Sequence, residues 1–230
     1  MNFFSQSLLA ALDLILNLDA ELYFVVWVSL KISVLSVLLA TIPGIPLGLL
    51  FAFRQFPGKS VLQSILNTLM ALPTVVVGLL MFGLLGRQGP LGDWGLLYTQ
   101  TAIVLGQAIL ITPIILNLVI AAANTADKRI HTTSLALGAS HWQQNLIFIS
   151  EVRFAMLAAI VAGFGRAIGE VGVAMMLGGN IEGYTRTMTT AIALETSKGE
   201  FEFALALGLL LLLVAFVVNI CLERFQKLNQ

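Results

Sequence analysis

Five stretches of the chain, at about residues 22–53, 62–85, 101–123, 154–178 and 203–222, are long, apolar and almost free of charge. A bilayer core is crossed by roughly 20 consecutive apolar residues in helical form. An all-α polytopic membrane protein of about five spans is therefore expected. The remaining composition agrees. Of 230 residues 58% are hydrophobic and 10% charged, against about 45–50% and about 25% in soluble domains. There is too little charge to solvate a soluble enzyme or a disordered chain, and no basic stripe for nucleic acid. The net charge is zero and points to no partner. The single Cys221 excludes an internal disulfide and a Cys-based zinc site.

Pro43 and Pro46 fall in the second half of the first span and are expected to bend it. Residues 3–18 are apolar but short and interrupted by Asp13; an interfacial helix is expected there rather than a sixth span. The division expected is an N-terminal interfacial segment, 1–20, then one transmembrane domain, 21–230, with a cytoplasmic loop at 124–153. The first basic residue is Lys31, so no secretory signal opens the chain and it is expected to be mature as it stands. Orientation follows the basic residues in the loops. Arg54, Lys59, Lys128, Arg129, Arg153, Arg224 and Lys227 fall on one side, and Arg87, Arg186 and Lys198 on the other. The richer side is expected to be cytoplasmic, with the N-terminus outside and the C-terminus inside.

Residues 126–153 read ADKRIHTTSLALGASHWQQNLIFISEVR, too polar to span. Thr132 or Thr133 can cap a helix start, Gly138 permits a turn or the close approach of another chain, and 139–143 opens a second helical piece. Such a segment is either an ordinary connection or a short helix that docks on a soluble partner. The block Leu137-Gly138-Ala139-Ser140, with Trp142 and Gln143, resembles the cytoplasmic signature loop of binding-protein-dependent ABC transporter permeases. In that family Glu-Ala-Ala precedes the glycine and Leu-Pro follows the loop; here Thr132-Thr133-Ser134 and Ile149-Ser150 stand in those places. Further blocks are similar to molybdate and tungstate permeases: Leu72-Pro73-Thr74-Val75-Val76-Val77-Gly78, Gly89-Pro90-Leu91-Gly92, and Gly163-Phe164-Gly165-Arg166-Ala167-Ile168-Gly169-Glu170. Gly178-Gly179-Asn180-Ile181 and Thr189-Thr190-Ala191-Ile192-Ala193-Leu194-Glu195-Thr196 look most like the tungstate branch.

The resemblance implies a permease subunit with the type I importer fold that passes an oxyanion across the inner membrane of a bacterial or archaeal cell. Tungstate stands before molybdate or sulfate. It implies a homodimer, a cytoplasmic ATP-binding cassette ATPase that uses ATP and Mg, and an extracytoplasmic oxyanion-binding protein. ATPase coupling would fall to Thr132, Leu137, Gly138, Ala139, Ser140 and Trp142. The chain itself is expected to be no enzyme and to bind no cofactor. It has no G-x-x-x-x-G-K-[ST] loop, no Ser-His-Asp or paired-carboxylate pattern, and His131 and His141 lack companions for a metal. A stand-alone channel or ion-coupled carrier is the alternative from another class; the docking loop and the lack of an inverted repeat speak against it. A purely structural scaffold would leave the intramembrane charges unexplained.

Those charges are Lys31, Arg166 and Glu170. Arg166 lies 12 residues into the fourth span, about 18 Å at helical rise and close to mid-bilayer. Four residues apart, Arg166 and Glu170 share a helix face and can pair. They are read either as a static packing pair or as part of the translocation pathway, with Arg166 supplying positive potential. Thr187, Thr189 and Thr190 are expected at the outer mouth of that pathway, or else in a solvated loop. Gly165 and Gly169 have the small-residue spacing that lets membrane helices approach.

Overall fold

The computed structural model describes residues 3–126, 138 and 140–227. Among them nine α-helices carry the fold: α1 (Phe3–Leu16), α2 (Ala20–Phe53), α3 (Lys59–Met70), α4 (Thr74–Leu85), α5 (Gln100–Thr125), α6 (His141–Ile168), α7 (Gly172–Gly178), α8 (Met188–Lys198) and α9 (Phe201–Lys227). No strand occurs among the described residues. The helices α2, α5, α6 and α9 are each long and apolar enough to cross a membrane; α3 and α4 pass the same test only as a pair bent by 93°, a broken span or a re-entrant loop, which makes four crossings or up to five.

Four of the expected spans are present as helices of sufficient length, and two of the five expected stretches are not single rods. The stretch 62–85 turns by 93° between α3 and α4. Pro73 sits immediately before α4; it lacks an N–H and pushes Leu72 out of helical geometry. The stretch 154–178 stops at Ile168 and restarts at Gly172. Pro43 and Pro46, by contrast, lie inside a continuous 34-residue α2.

The centre of the bundle is α5, two-thirds buried along its most apolar stretch. Small residues let its neighbours come close. A Cβ on Gly44 or Gly48 of α2 would stand 3.0 Å from Ile115 or 2.9 Å from Val119, and one on Gly163 of α6 2.9 Å from Ile111. Gly106 of α5 receives Leu177 and Val173 of α7 in the same way. Without a hydrophobic drive between helices in lipid, such close van der Waals packing holds them together.

At 14 residues, α1 is about 21 Å long, short of a roughly 30 Å core. It lies against α9, with Ala11 and Ser7 buried. The Tyr23 hydroxyl donates to the Ile15 carbonyl at 3.1 Å, which fixes the turn into α2. It is an apolar helix shorter than the four long ones.

Candidate functional site: the broken span at Arg166 and Glu170

The break after α6 is built by local polar groups. Gly169 ends the helix, and Glu170 stands outside it with its side chain 3% exposed. Arg166 Nη1 meets Glu170 Oε2 at 2.6 Å. The other carboxylate oxygen, Oε1, accepts the Val173 N–H at 3.2 Å, so Glu170 also caps the first turn of α7. Both oxygens are committed, one to a cation and one to a helix start. The guanidinium is not similarly enclosed: the Arg166 side chain is 38% exposed.

Three further elements hold the break open. Thr189 Oγ1, from α8, donates to the Glu170 carbonyl at 2.7 Å. Gln107, from α5, donates to the Ala167 carbonyl at 3.2 Å and accepts from Ser36 of α2 at 2.9 Å. Carbonyls freed at the helix end thus find partners on other helices, as a bilayer requires. The start of α4 closes the remaining side, where a Cβ on Gly172 would lie 2.8 Å from Thr74 Oγ1.

The threonines predicted for an outer mouth are placed differently. Thr187, Thr189 and Thr190 are 5%, 7% and 0% exposed. Thr187 and Thr190 form a reciprocal cap on α8, and Thr187 Oγ1 lies 3.2 Å from Thr189 Oγ1. Their hydroxyls are bonded within the protein. The structure does unite the two predicted groups, because Thr189 reaches Glu170. Arg186, next in line, is buried and faces three carboxylates: Glu21 at 3.1 Å, Glu182 at 3.4 Å and Glu195 at 3.7 Å. This cluster ties the start of α2 to the start and body of α8.

Among the described residues, Gly165 and Gly169 make no close helix contact. A Cβ on Gly165 would meet nothing within 4 Å, and one on Gly169 only the Gly165 carbonyl at 3.5 Å. The close approach belongs to Gly163, two residues earlier. Lys31 reaches Gln100 at 3.0 Å, at the start of α5, and so lies toward the end of the bundle that bears the 86–100 connection.

Of the coupling residues, Thr132, Leu137 and Ala139 lie outside the described residues, as does the side chain of Trp142. Gly138 is exposed with φ +77°, a left-handed conformation that favours glycine. Ser140 caps α6 in a reciprocal box with Gln143, so the helical piece expected at 139–143 begins at His141.

Residues missed by sequence reasoning are Gln107, Ser36 and Thr74. Gln107 was the readable one: an amide inside an otherwise apolar span needs a buried partner.

Residues 44–229 match the family described as binding-protein-dependent transport system inner membrane component. The chain is 35% identical over 227 residues to a tungstate uptake system permease protein of Peptoclostridium acidaminophilum, covering 99% of this chain and 100% of that one. It is 37% identical over 217 residues to the tungstate uptake system permease protein of Campylobacter jejuni, covering 94% and 91%. Its fold is that of a methionine ABC transporter solved in an inward-facing conformation. There the TM-score is 0.77 at 16% identity, over 93% of this chain and 98% of the other.

Proposed function

We infer that this chain, which belongs to the family of binding-protein-dependent transport system inner membrane components, is the permease subunit of an ABC importer for an oxyanion, tungstate in first place and molybdate or sulfate after it. The observation that carries this is the full-length match to two permeases named for tungstate uptake. The protein is a multi-pass inner membrane protein, with up to five crossings. ATP and Mg are used by a separate ATPase subunit; this chain carries no phosphate loop.

The working unit is a pair of these chains, with two ATPases inside and an oxyanion-binding protein outside. The basic residues at the Arg54, Lys59, Arg153 and Arg224 end support placing that end, and the C-terminus, in the cytoplasm. The N-terminus lies outside, with residues 1–20 as the interfacial segment and 21–230 as the transmembrane domain. The segment from Thr132 through Leu137, Gly138, Ala139 and Ser140 to Trp142 docks on the ATPase. Its motion, passed along α6, alternates access to the pathway.

In that pathway Arg166 contributes the positive potential. A guanidinium has five N–H donors, and Glu170 takes one edge only. The open edge can hydrogen-bond a passing oxyanion, while the carboxylate keeps the site nearly neutral, so that the anion is released again. Thr187, Thr189, Thr190 and Gln107 act behind it, holding the break.

The test is reconstitution of the chain with its ATPase and binding protein in proteoliposomes. Tungstate uptake should require ATP and be reduced less by excess sulfate than by excess molybdate. Uptake independent of ATP would favour a carrier; no uptake of any of the three anions would refute the assignment.

A further inference from the structure

Of the three charges that the sequence places within spans, Lys31 takes no part in the break. It is the only charged residue between Leu22 and Phe53 of α2, and it is exposed on the outside of the bundle. Among the described residues it forms no ion pair, and its Nζ donates to one acceptor, Gln100 Oε1, at 3.0 Å. An ammonium has three donors, so two stay open. A lysine near a membrane edge ordinarily runs its stem out to water. Here the head is pinned to the bundle. The Gln100 amide nitrogen donates to the Tyr184 carbonyl at 2.6 Å, which leaves its oxygen for Lys31.

The depth of this group follows from the packing of α2 beside α5. Lys31 meets Gln100, Ser36 meets Gln107, and Gly44 and Gly48 face Ile115 and Val119. The two helices therefore run parallel, and Lys31 stands where α5 begins. From Lys31 to Arg54 is 23 residues, or about 34 Å of helix, close to a roughly 30 Å hydrocarbon core. The two basic residues thus bracket the membrane on this helix. Between them Val34, Leu35, Leu38 and Ile42 are exposed along one apolar stripe. One turn before Lys31, on the same face, Trp27 is 62% exposed. Tyr184, beside Gln100, is exposed as well. Aromatic side chains and one cation at the end of an apolar stripe mark the headgroup level of a membrane helix.

We propose that Lys31, with Trp27 one turn away, binds the phosphate of an anionic phospholipid in the leaflet on the side of the 86–100 connection, and that the lipid's acyl chains lie along Val34, Leu35, Leu38 and Ile42. A cation at this depth with no carboxylate in its own chain needs a counter-charge from outside it. A water-soluble anion would have to arrive across the apolar face of α2. A phospholipid brings both parts together, a phosphate at the level of the ammonium and an apolar tail for the stripe beneath. A zwitterionic lipid carries its own cation beside the phosphate and gains less. The site does not depend on which anion the permease carries.

The full chain with Trp94→Phe and Trp142→Phe keeps Trp27 as its sole tryptophan. It is reconstituted in bilayers of phosphatidylcholine and phosphatidylglycerol, with the acyl chains of each lipid brominated in turn. Quenching of Trp27 fluorescence then gives the relative affinity of the two lipids for this spot. Phosphatidylglycerol should be favoured about fivefold, the worth of one basic residue at an anionic headgroup. Lys31→Met should bring the ratio to one, while Lys31→Arg should keep it. The proposal is overturned if the chain with Lys31 intact shows no preference, or if Lys31→Met retains it. It is also overturned if neither brominated lipid quenches Trp27, which would place a second copy of the chain on this face. If the two-phenylalanine chain does not accumulate, lipid adducts of the delipidated wild type and Lys31→Met are compared by native mass spectrometry. Loss of the phosphatidylglycerol preference in Lys31→Met is then the expected result, and its survival the refuting one. Uptake is not read, so an inactive importer and an unoccupied lipid site are told apart.

Discussion

Removing Arg166 should harm the protein more than removing Glu170, although the two form one ion pair. The reason is their unequal burial, 38% against 3% side-chain exposure. Arg166→Ala leaves a carboxylate in the interior with only the Val173 N–H at 3.2 Å to stabilise it. Stranding one charge of a buried pair costs about 3–5 kcal/mol. Glu170→Ala leaves a guanidinium that can turn toward the open side, so the full penalty does not apply. What is lost there is two charge-assisted hydrogen bonds, one of them to a guanidinium that is more than a third exposed and so screened by solvent, or about 2–3 kcal/mol. For a chain of this size each kcal/mol moves the melting temperature by about 2–4 °C. The expected drops are thus roughly 6–20 °C for Arg166→Ala and about 4–12 °C for Glu170→Ala. The double variant Arg166→Ala with Glu170→Gln should recover part of the loss, since it buries no unpaired charge. Exchanging the two charges should not rescue: an arginine at 170 cannot accept the Val173 N–H, and it would be enclosed where Glu170 is enclosed. The assay is thermal unfolding of the detergent-purified chain. If Glu170→Ala is the more damaging single change, or the double variant is as unstable as the sum of the singles, the burial reasoning is wrong.

Two further outcomes follow from the same contacts. Thr189→Val removes the donor to the Glu170 carbonyl at 2.7 Å with almost no change of shape, and should lower stability by about 1–2 kcal/mol; unchanged unfolding would mean that α8 does not hold the break. Gly48→Ala places a methyl 2.9 Å from Val119 and should cost about 1–3 kcal/mol, whereas Gly165→Ala meets nothing within 4 Å and should leave the melting temperature of the isolated chain unchanged or raised. Loss of stability at 165 in dilute single chains would contradict the placement of that face outside the fold.

The crossings were legible because each needs only an apolar run of sufficient length, a property of neighbouring residues. Their breaks were not. Pro73 carries the rule that ends a helix, but its neighbours are apolar enough that a span-length average runs through it. The break at Gly169–Glu170 carries no local warning. It is fixed by Thr189, 19 residues onward, and by Gln107, 60 residues before Ala167. The pairing of Arg166 with Glu170 was readable from spacing; its unequal burial was not. The burial of Thr187, Thr189 and Thr190 was not legible either: Arg186 beside them is surrounded by Glu21, Glu182 and Glu195, the first of them 165 residues away. Gly165 and Gly169 had the right spacing for close packing, but spacing does not say which face of a helix meets its own chain.

The path from Ser140 to the break is a single element. From its cap at Ser140, α6 runs 28 residues to Ile168, about 42 Å, with no proline inside it. On the proposed reading, a displacement at the capped end must reach Arg166 as a rigid shift or tilt, because an intact helix bends little over that length. Its packing against α5, closest at Gly163 beside Ile111, means that such a shift must carry α5 with it or slide along it. A break at mid-helix should then separate ATP hydrolysis from transport without touching either end. Ala155 is exposed on α6, and Ala155→Pro removes one helical hydrogen bond and clashes with the carbonyl of Glu151, at a cost of about 3 kcal/mol. Ala155→Gly softens the same point for only about 1 kcal/mol. In the reconstituted importer, Ala155→Pro should retain ATPase activity and lose most of the oxyanion uptake, with Ala155→Gly between it and wild type. Equal ATP turned over per anion moved in all three would show that α6 is not the transmitting element. Coupling would then have to reach the break through α5, whose Gln107 holds the Ala167 carbonyl at 3.2 Å.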